Sequence, residues 1–580
     1  MSQTASANVA VHLPEMARRQ PETPAIFIPA GRDSRQQARY DQYSFAELDR
    51  ESCRMALALE SIGIRRGVRT VLMVPPGFEF FALTFALFKI GAVPVLVDPG
   101  MGVKNLKTCL AEAQPQAFIG IPKAQLARIL LGWGRPTVKT VLTVGKKFLW
   151  GGSALEQLLA GVAQDAHYAT AQTETDETAA ILFTSGSTGV PKGAVYSHGN
   201  FSAQVDMLRQ VYDIRPGEID LPTFPLFALF APALGMTSVV PEMDFTRPAA
   251  VDPAKIIAAI ETFRVTTMFG SPALINRVGR YGEAHGIKLP SLKRAISAGA
   301  PVSASVLERF AAMLQGNAQV FTPYGATEAL PVCSIGSDEI LEETRYATDR
   351  GCGVCVGRPI PGIELDIIRI ADEAIAQWSD DQKIADGEIG EIVVKGPQVT
   401  GSYFNRAEAN ALSKIADPEG GGFYHRMGDL GYRDEQGRIW FCGRKAHRVV
   451  TAAETLFTIP CEAVFNTHPE VFRTALVGVG APGRQHAVLC VELETGVDTA
   501  AVERINRELL AIGAECELTR NIKHVLFHPA FPVDIRHNAK IFREQLAEWA
   551  AARLALASDR FSWAARSMSL RCRTSATRLL

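Results

Sequence analysis

The stretch TSGSTGVPKG, Thr184 to Gly193, is the one most able to do chemistry. Gly186 and Gly189 admit backbone angles closed to other residues, so successive N–H groups can converge on one concavity. The hydroxyls of Thr184, Ser185, Ser187 and Thr188 add donors, and Lys192 adds a mobile positive charge. Such a loop suits a polyphosphate. It is not the GxxxxGK[ST] pattern, because Pro191 stands five residues after Gly186 and no Ser or Thr follows Lys192. A solvated Gly/Ser turn is the bland alternative.

Apolar runs flank this loop, Ala179–Phe183 before it and a second from Ala194, which reads as strand, tight loop, strand. Upstream, Ser44 and Glu47 have the spacing of a capping box, and helical apolar spacing then runs to about Ile62, with Gly63 as the stop. Val68–Pro75 reads as a buried strand, Phe80–Lys89 as a helix and Val93–Val97 as the next strand. The alternation returns at Ala117–Gly120 and Lys139–Val144. Strands this continuously apolar, separated by helices, predict a parallel sheet covered on both faces.

A chain of 580 residues, 47% apolar, can bury a large core and should hold more than one domain. Its formal charge of −1 gives no argument for nucleic acid as a partner. Ten scattered cysteines and an N-terminus without a charged start and apolar core point to reduced thiols in the cytoplasm. Cys352 and Cys355 form a lone CxxC, read as packed thiols, not metal ligands. Leu221–Pro241 runs 21 residues without a charge, but Pro222, Pro225, Pro232 and Pro241 break any continuous helix. No membrane span is expected; the block reads as buried wall or acyl pocket.

The ten-residue order of the loop resembles the phosphate loop of the acyl-adenylate-forming superfamily, and further motifs follow in that family's order. Ser297-Ala-Gly-Ala-Pro301 resembles the adenine-side loop, carrying Gly299, Ala300 and Pro301. Phe321-Thr-Pro-Tyr-Gly-Ala-Thr-Glu328 has a physical logic of its own. Tyr324 offers an aromatic plate to the adenine and Gly325 allows close backbone approach. Thr327 can donate to the α-phosphate, and Glu328 supplies a hard oxygen for Mg²⁺. Phe423-Tyr-His-Arg-Met-Gly-Asp-Leu430 resembles a motif whose carboxylate, here Asp429, accepts from the ribose hydroxyls; Met427 replaces the usual Thr. Arg444 matches a residue that holds ribose or phosphate, and Lys540, in VDIRHNAKI, matches the lysine brought to the acyl carboxylate and α-phosphate. The resemblance thus implies ATP and Mg²⁺, with Lys540, Lys192, Thr327 and Glu328 as the catalytic set. His198 reads as structural, Asn200 as the cap of the following helix, and His537 as a weaker candidate base. Ala228 stands where many relatives have His, leaving the acyl site greasier.

The predicted fold is α/β: a large N-terminal domain of layered parallel sheets with helices and a β-rich subdomain (1–444), a hinge (445–447), and a small mobile α+β lid (448–558). A basic tail, 559–580, is expected to be disordered. Two departures matter. At the hinge, Ala446 occupies the place of the pivot and no glycine occurs between Gly443 and Pro460, where a thiol tunnel needs close backbone approach, which argues against thioester formation. In the tail, VDIRHNAKI stands where thioester-forming relatives have a PKTxSGK run. The two departures resemble one branch, the β-lactone synthetases of long-chain olefin biosynthesis. That resemblance implies a 2-alkyl-3-hydroxy fatty acid as substrate, and it fits association with other enzymes of olefin formation. A fatty acyl-AMP or acyl-CoA ligase is the alternative.

Overall fold

The computed structural model describes residues 6–34, 38–184, 190–534 and 540–555. Ser185–Gly189 of the glycine-rich loop, His537 and the tail 559–580 lie outside the described residues.

One sheet takes the order Ser402–Tyr403, Gly193–Ser197, Thr178–Phe183, Val93–Leu96, Arg69–Met73, Ala117–Gly120, Thr140–Thr143 and Ser153–Ala154. From Thr178–Phe183 onward the strands are parallel; Gly193–Ser197 turns back antiparallel. Period-two alternation feeds two cores. Leu72, Leu96 and Leu182 face the cluster holding Phe81 and Phe85, whereas Val71, Val95 and Phe183 face the one holding Leu110 and Phe118. Helix Phe78–Ile90 packs on the first side, and helices Val103–Ala113 and Pro122–Leu131 on the second. That double cover is why these strands read as unbroken apolar runs. Phe81 and Phe118 are fully buried, each contributing about 1.5–3 kcal/mol of transfer free energy.

A second sheet has the order Gln319–Phe321, Arg294–Ile296, Thr267–Phe269, Ile219–Pro222, Thr237–Val239, Pro24–Arg32, Ala38–Ser44, parallel except for its last strand. The uncharged block supplies two of these strands and two short helices, Pro225–Ala228 and Phe230–Leu234. Among the described residues no helix is long and apolar enough to cross a membrane. An antiparallel sheet follows, from Tyr324–Ala326 through Ile439–Arg444 and Phe423–Arg433 to Glu364–Ile368. After the short turn Lys445–His447 the chain builds a separate sheet, Val471–Val479, His486–Leu493 and His524–Phe527, with helices Thr458–Phe465 and Val502–Glu515 and apolar clusters of its own.

Local capping follows the sequence in one place and corrects it in another. Ser44 and Glu47 form the reciprocal box at the head of helix Phe45–Ser61. In helix His198–Tyr212, however, Ser197 is the cap, and Asn200 sits three residues in, its amide oxygen accepting from Ser197 N at 2.9 Å. Both residue types cap well, so spacing alone did not choose between them.

Candidate active site

The carboxyl ends of both parallel sheets converge on one cavity of about 2190 Å³. Its rim is made by the residues just past the strands: Met73–Pro75, Val97–Asp98, Phe183–Thr184, Thr223–Phe224, Ser297–Pro301 and Thr322–Tyr324. Ligands of open α/β sheets bind outside these ends, where the loops are free to vary. Thr184, Lys192, Gly299, Ala300, Pro301, Tyr324, Gly325, Thr327, Glu328, Asp429, Arg444 and Lys540 all line it.

The two ends of the glycine-rich loop are tied together. Thr184 N donates to Lys192 O at 2.9 Å, and Lys192 N to Thr184 Oγ1 at 3.1 Å. The Lys192 ammonium stands 5.0 Å from the ring centroid of Tyr403, whose hydroxyl donates to Glu328 Oε1 at 2.5 Å. Burial and the Glu328 charge raise the Tyr403 phenol well above its ordinary range, so it stays protonated and a donor. Glu328 O accepts from Thr400 N at 2.8 Å, and the buried amine of Lys414 donates to Thr400 O. Burial pulls the Lys414 amine down to about 7, with Glu328 pulling the other way. The Tyr196 hydroxyl donates to Thr327 O, fixing the turn that carries both residues. Lys540 also lines the cavity, and its carbonyl accepts from Asp534 N at 2.9 Å.

Asp429 lies in the long strand Phe423–Arg433, one residue past Gly428, whose φ of +66° makes the bend. Tyr324 Oη donates to Asp429 Oδ2 at 2.7 Å. Oδ1 is ion-paired at 3.1 Å with Arg444 Nη1 but is buried without a hydrogen bond, and the same guanidinium nitrogen donates to Met427 O at 3.0 Å. Burial raises the Asp429 carboxyl against the pull of Arg444, and Asp429 in turn raises Arg444. An orphaned buried carboxylate oxygen facing a cavity wants hydroxyl donors, as a ribose would supply. Ser297 Oγ, also on the wall, is buried without a partner and adjoins Gly299, whose φ is +102°. These two atoms are the fit of the site to a nucleoside.

Glu328 belongs to no cluster of metal-ligating side chains among the described residues. Among the described residues the one three-ligand group of metal-ligand type is His468, Glu470 and Glu508, on the C-terminal part, where Arg504 pairs with both glutamates. A divalent cation at Glu328 would therefore take most ligands from phosphate and water, which is the habit of Mg²⁺.

Several expectations are adjusted. The crowding that requires glycine at 325 comes from its own hairpin: a Cβ there would meet Ala329 O at 2.6 Å. Ala228 packs in the core, while Leu229 and Phe230 face the cavity. His198 is buried, accepts from Val9 N at 3.3 Å, and is pushed down to about 4 by burial, as suits a packed residue. Cys355 is buried and Cys352 partly so, both free thiols. Sequence reasoning missed Tyr403, Lys414 and Tyr196; Tyr403 is carried by the two-residue strand Ser402–Tyr403, paired with Ala194–Val195 far away in the chain.

The apolar wall divides over the strand ends. On one face stand Phe85, Phe88, Phe201, Leu229 and Phe230, with Phe88 and Phe201 centroids 5.7 Å apart. On the other stand Met73, Phe183, Ala124, Ala127 and Trp133, from the opposite core.

Parallel sheets whose carboxyl ends meet at one cavity, lined by the two ends of a glycine-rich loop, a buried carboxylate and Lys540, are the arrangement of an adenylate-forming enzyme. The chain belongs to the AMP-binding enzyme family, whose model matches residues 13–404. It is 53% identical over 555 residues to the olefin beta-lactone synthetase of Xanthomonas campestris pv. campestris, covering 94% of this chain and 98% of that protein. It is 51% identical over 552 residues to the olefin beta-lactone synthetase of Stenotrophomonas maltophilia, again 94% and 98%. Its fold matches ATP-bound MatB from Rhodopseudomonas palustris at a TM-score of 0.72 and 21% identity, over 94% of this chain and 99% of that one.

Proposed function

We propose that the protein converts a long-chain 2-alkyl-3-hydroxyalkanoic acid and ATP into a β-lactone, AMP and pyrophosphate through an acyl-adenylate. Sequence identity above one half, sustained along nearly the whole of two proteins named for this reaction, carries the reading. The division of the apolar wall supports it, since a 2-alkyl acid has two tails to house.

In the first step a carboxylate oxygen bonds to the α-phosphorus and the bond to the bridging β-phosphate oxygen breaks, releasing pyrophosphate. Lys192 and Lys540, both on the cavity lining, hold the developing charge. Glu328, oriented by Tyr403, would hold Mg²⁺, which neutralises phosphate charge when bound. Asp429 and Arg444 hold the ribose; Gly299–Pro301 and Tyr324 border the base. In the second step the 3-hydroxyl oxygen bonds to the activated carbonyl carbon, its proton leaves to the medium, and the carbonyl bond to the phosphate oxygen breaks, releasing AMP. Ring strain opposes closure; loss of a mixed anhydride offsets it, and the nucleophile is already in place. No second acceptor is needed, which fits a 446–457 segment without glycine.

The same reading takes residues 1–444 as the adenylation domain, 445–447 as the hinge and 448–558 as the lid. The nine cysteines among the described residues are free thiols, in keeping with a cytoplasmic enzyme.

The experiment is mass spectrometry of the product from a racemic 2-alkyl-3-hydroxy acid with MgATP and no CoA. A β-lactone with one AMP per turnover is expected. Turnover that appears only once a thiol is added would assign the chain to the acyl-CoA ligases instead.

A further inference from the structure

The segment Ala113–Leu155 contains six basic residues and no Asp or Glu, in a chain with 61 carboxylates. It folds as strand Ala117–Gly120, helix Pro122–Leu131 and strand Thr140–Thr143, followed by the loop 144–152. The outer stripe of that helix is Lys123, Leu126, Ile129 and Leu130, all exposed, Leu130 by 73%. At the carboxyl end of strand Thr140–Thr143 the loop presents Lys146-Lys-Phe-Leu149, with Phe148 exposed by 55% and Leu149 fully so. The loop is held out by its base: Trp150 Nε1 donates to Thr143 Oγ1 at 3.0 Å, and the Phe148 and Trp150 rings are 5.3 Å apart.

Basic charge continues on the neighbouring helix Val103–Ala113, through exposed Lys104 and Lys107, beside exposed Val103. Its acid, Glu112, is neutralised by Arg406 at 2.6 Å. Among the described residues none of Lys104, Lys107, Lys123, Arg135, Lys139, Lys146 and Lys147 is ion-paired, so nothing in this face cancels its positive field.

We infer that this face docks on an anionic phospholipid surface, inserting Phe148 and Leu149 while the flanking lysines meet lipid phosphates. Aromatic and aliphatic tips among lysines are the composition of interfacial anchors. A second copy of the same face is a poor occupant, since like charges would oppose one another across a two-fold contact. The placement also serves the cavity. Lys123, Ala124 and Ala127, on this same helix, line it, so docking turns that wall toward the phase in which a long-chain acid dissolves.

The test is flotation of the full chain with vesicles of phosphatidylcholine alone and with 30% phosphatidylglycerol, at low and high salt. Binding to the anionic vesicles, weakened by salt, is expected. Lys146→Gln with Lys147→Gln should lower the partition coefficient roughly 25-fold, about fivefold per charge removed. Phe148→Ser with Leu149→Ser should abolish retention at high salt. None of these four residues lines the cavity, so AMP release from a short, water-soluble 3-hydroxy acid should be unchanged in both variants. Equal partition to both vesicle types, no binding, or binding indifferent to both pairs of substitutions overturns the inference. So does a dimer in sedimentation velocity that the serine pair dissolves, which would make the face a self-contact.

Discussion

Tyr324 and Asp429, 105 residues apart in sequence, are joined by a 2.7 Å hydrogen bond from the phenol to Oδ2, and the other carboxylate oxygen is left buried without a donor. One oxygen is thus spent on positioning and one is kept for the ligand. Burial lifts the Tyr324 phenol far above its ordinary range, so the donor keeps its proton.

Asp429→Asn should therefore raise the KM for ATP in pyrophosphate exchange by about 10- to 150-fold, the cost of losing hydrogen bonds to a charged group, about 1.5–3 kcal/mol. Tyr324→Phe, which keeps the ring and frees Oδ2, should cost less, roughly tenfold. If Tyr324→Phe proves the worse of the two, Tyr324 acts through something other than Asp429.

Lys540 and Lys192 reach the cavity from different units of the chain. Each, changed to Ala, should slow adenylate formation about 10²- to 10³-fold, the usual loss of one charge-stabilising group. Lys540→Ala should leave ring closure of a supplied acyl-adenylate within about threefold, because its charge serves the first step. Equal losses in both half-reactions would remove that assignment.

The two apolar faces predict separable chain-length selectivity. Leu229→Trp fills one arm and Ala127→Trp the other. With substrates bearing one long and one short branch, each substitution should lower kcat/KM for one isomer about 10- to 200-fold, in opposite senses, the range for methylenes in an apolar pocket. Losses in the same sense for both variants would mean one arm, not two.

Asp220 sits in strand Ile219–Pro222, where burial lifts its carboxyl to about 8 against the pull of Arg294. The folded chain then holds this proton between about 4 and about 8, where the unfolded chain has released it. The stability it contributes is complete below pH 4 and is lost as the pH rises through 8. Asp220→Asn cannot titrate, so its melting temperature should equal the parent's near pH 4 and exceed it increasingly up to pH 9. A gap independent of pH would contradict this.

The sequence showed most of what is local. Val93–Leu96 and Ala117–Gly120 form the strands their residues predict, because both are covered on two faces and carry unbroken apolar signal. The described motif residues from 184 to 540 line one cavity. What it hid is long-range. Tyr403 reaches Glu328 through a two-residue strand with no periodicity to read, and Lys414 opens a strand of only three residues, Lys414–Ala416, too short to show one. Asp429 was legible as an acid, but not which of its oxygens would already be taken.

One further consequence concerns the joint between the two units. Glu391 Oε2 accepts from Arg426 at 2.6 Å and from Lys445, the first residue of the joint, at 3.0 Å; Lys445 also donates to Ala371 O. A lone buried acid abandoned by its cation is penalised by about 3–5 kcal/mol. Arg426 holds the same oxygen, so Glu391 would keep a cation if a hinge at 445–447 drew Lys445 away.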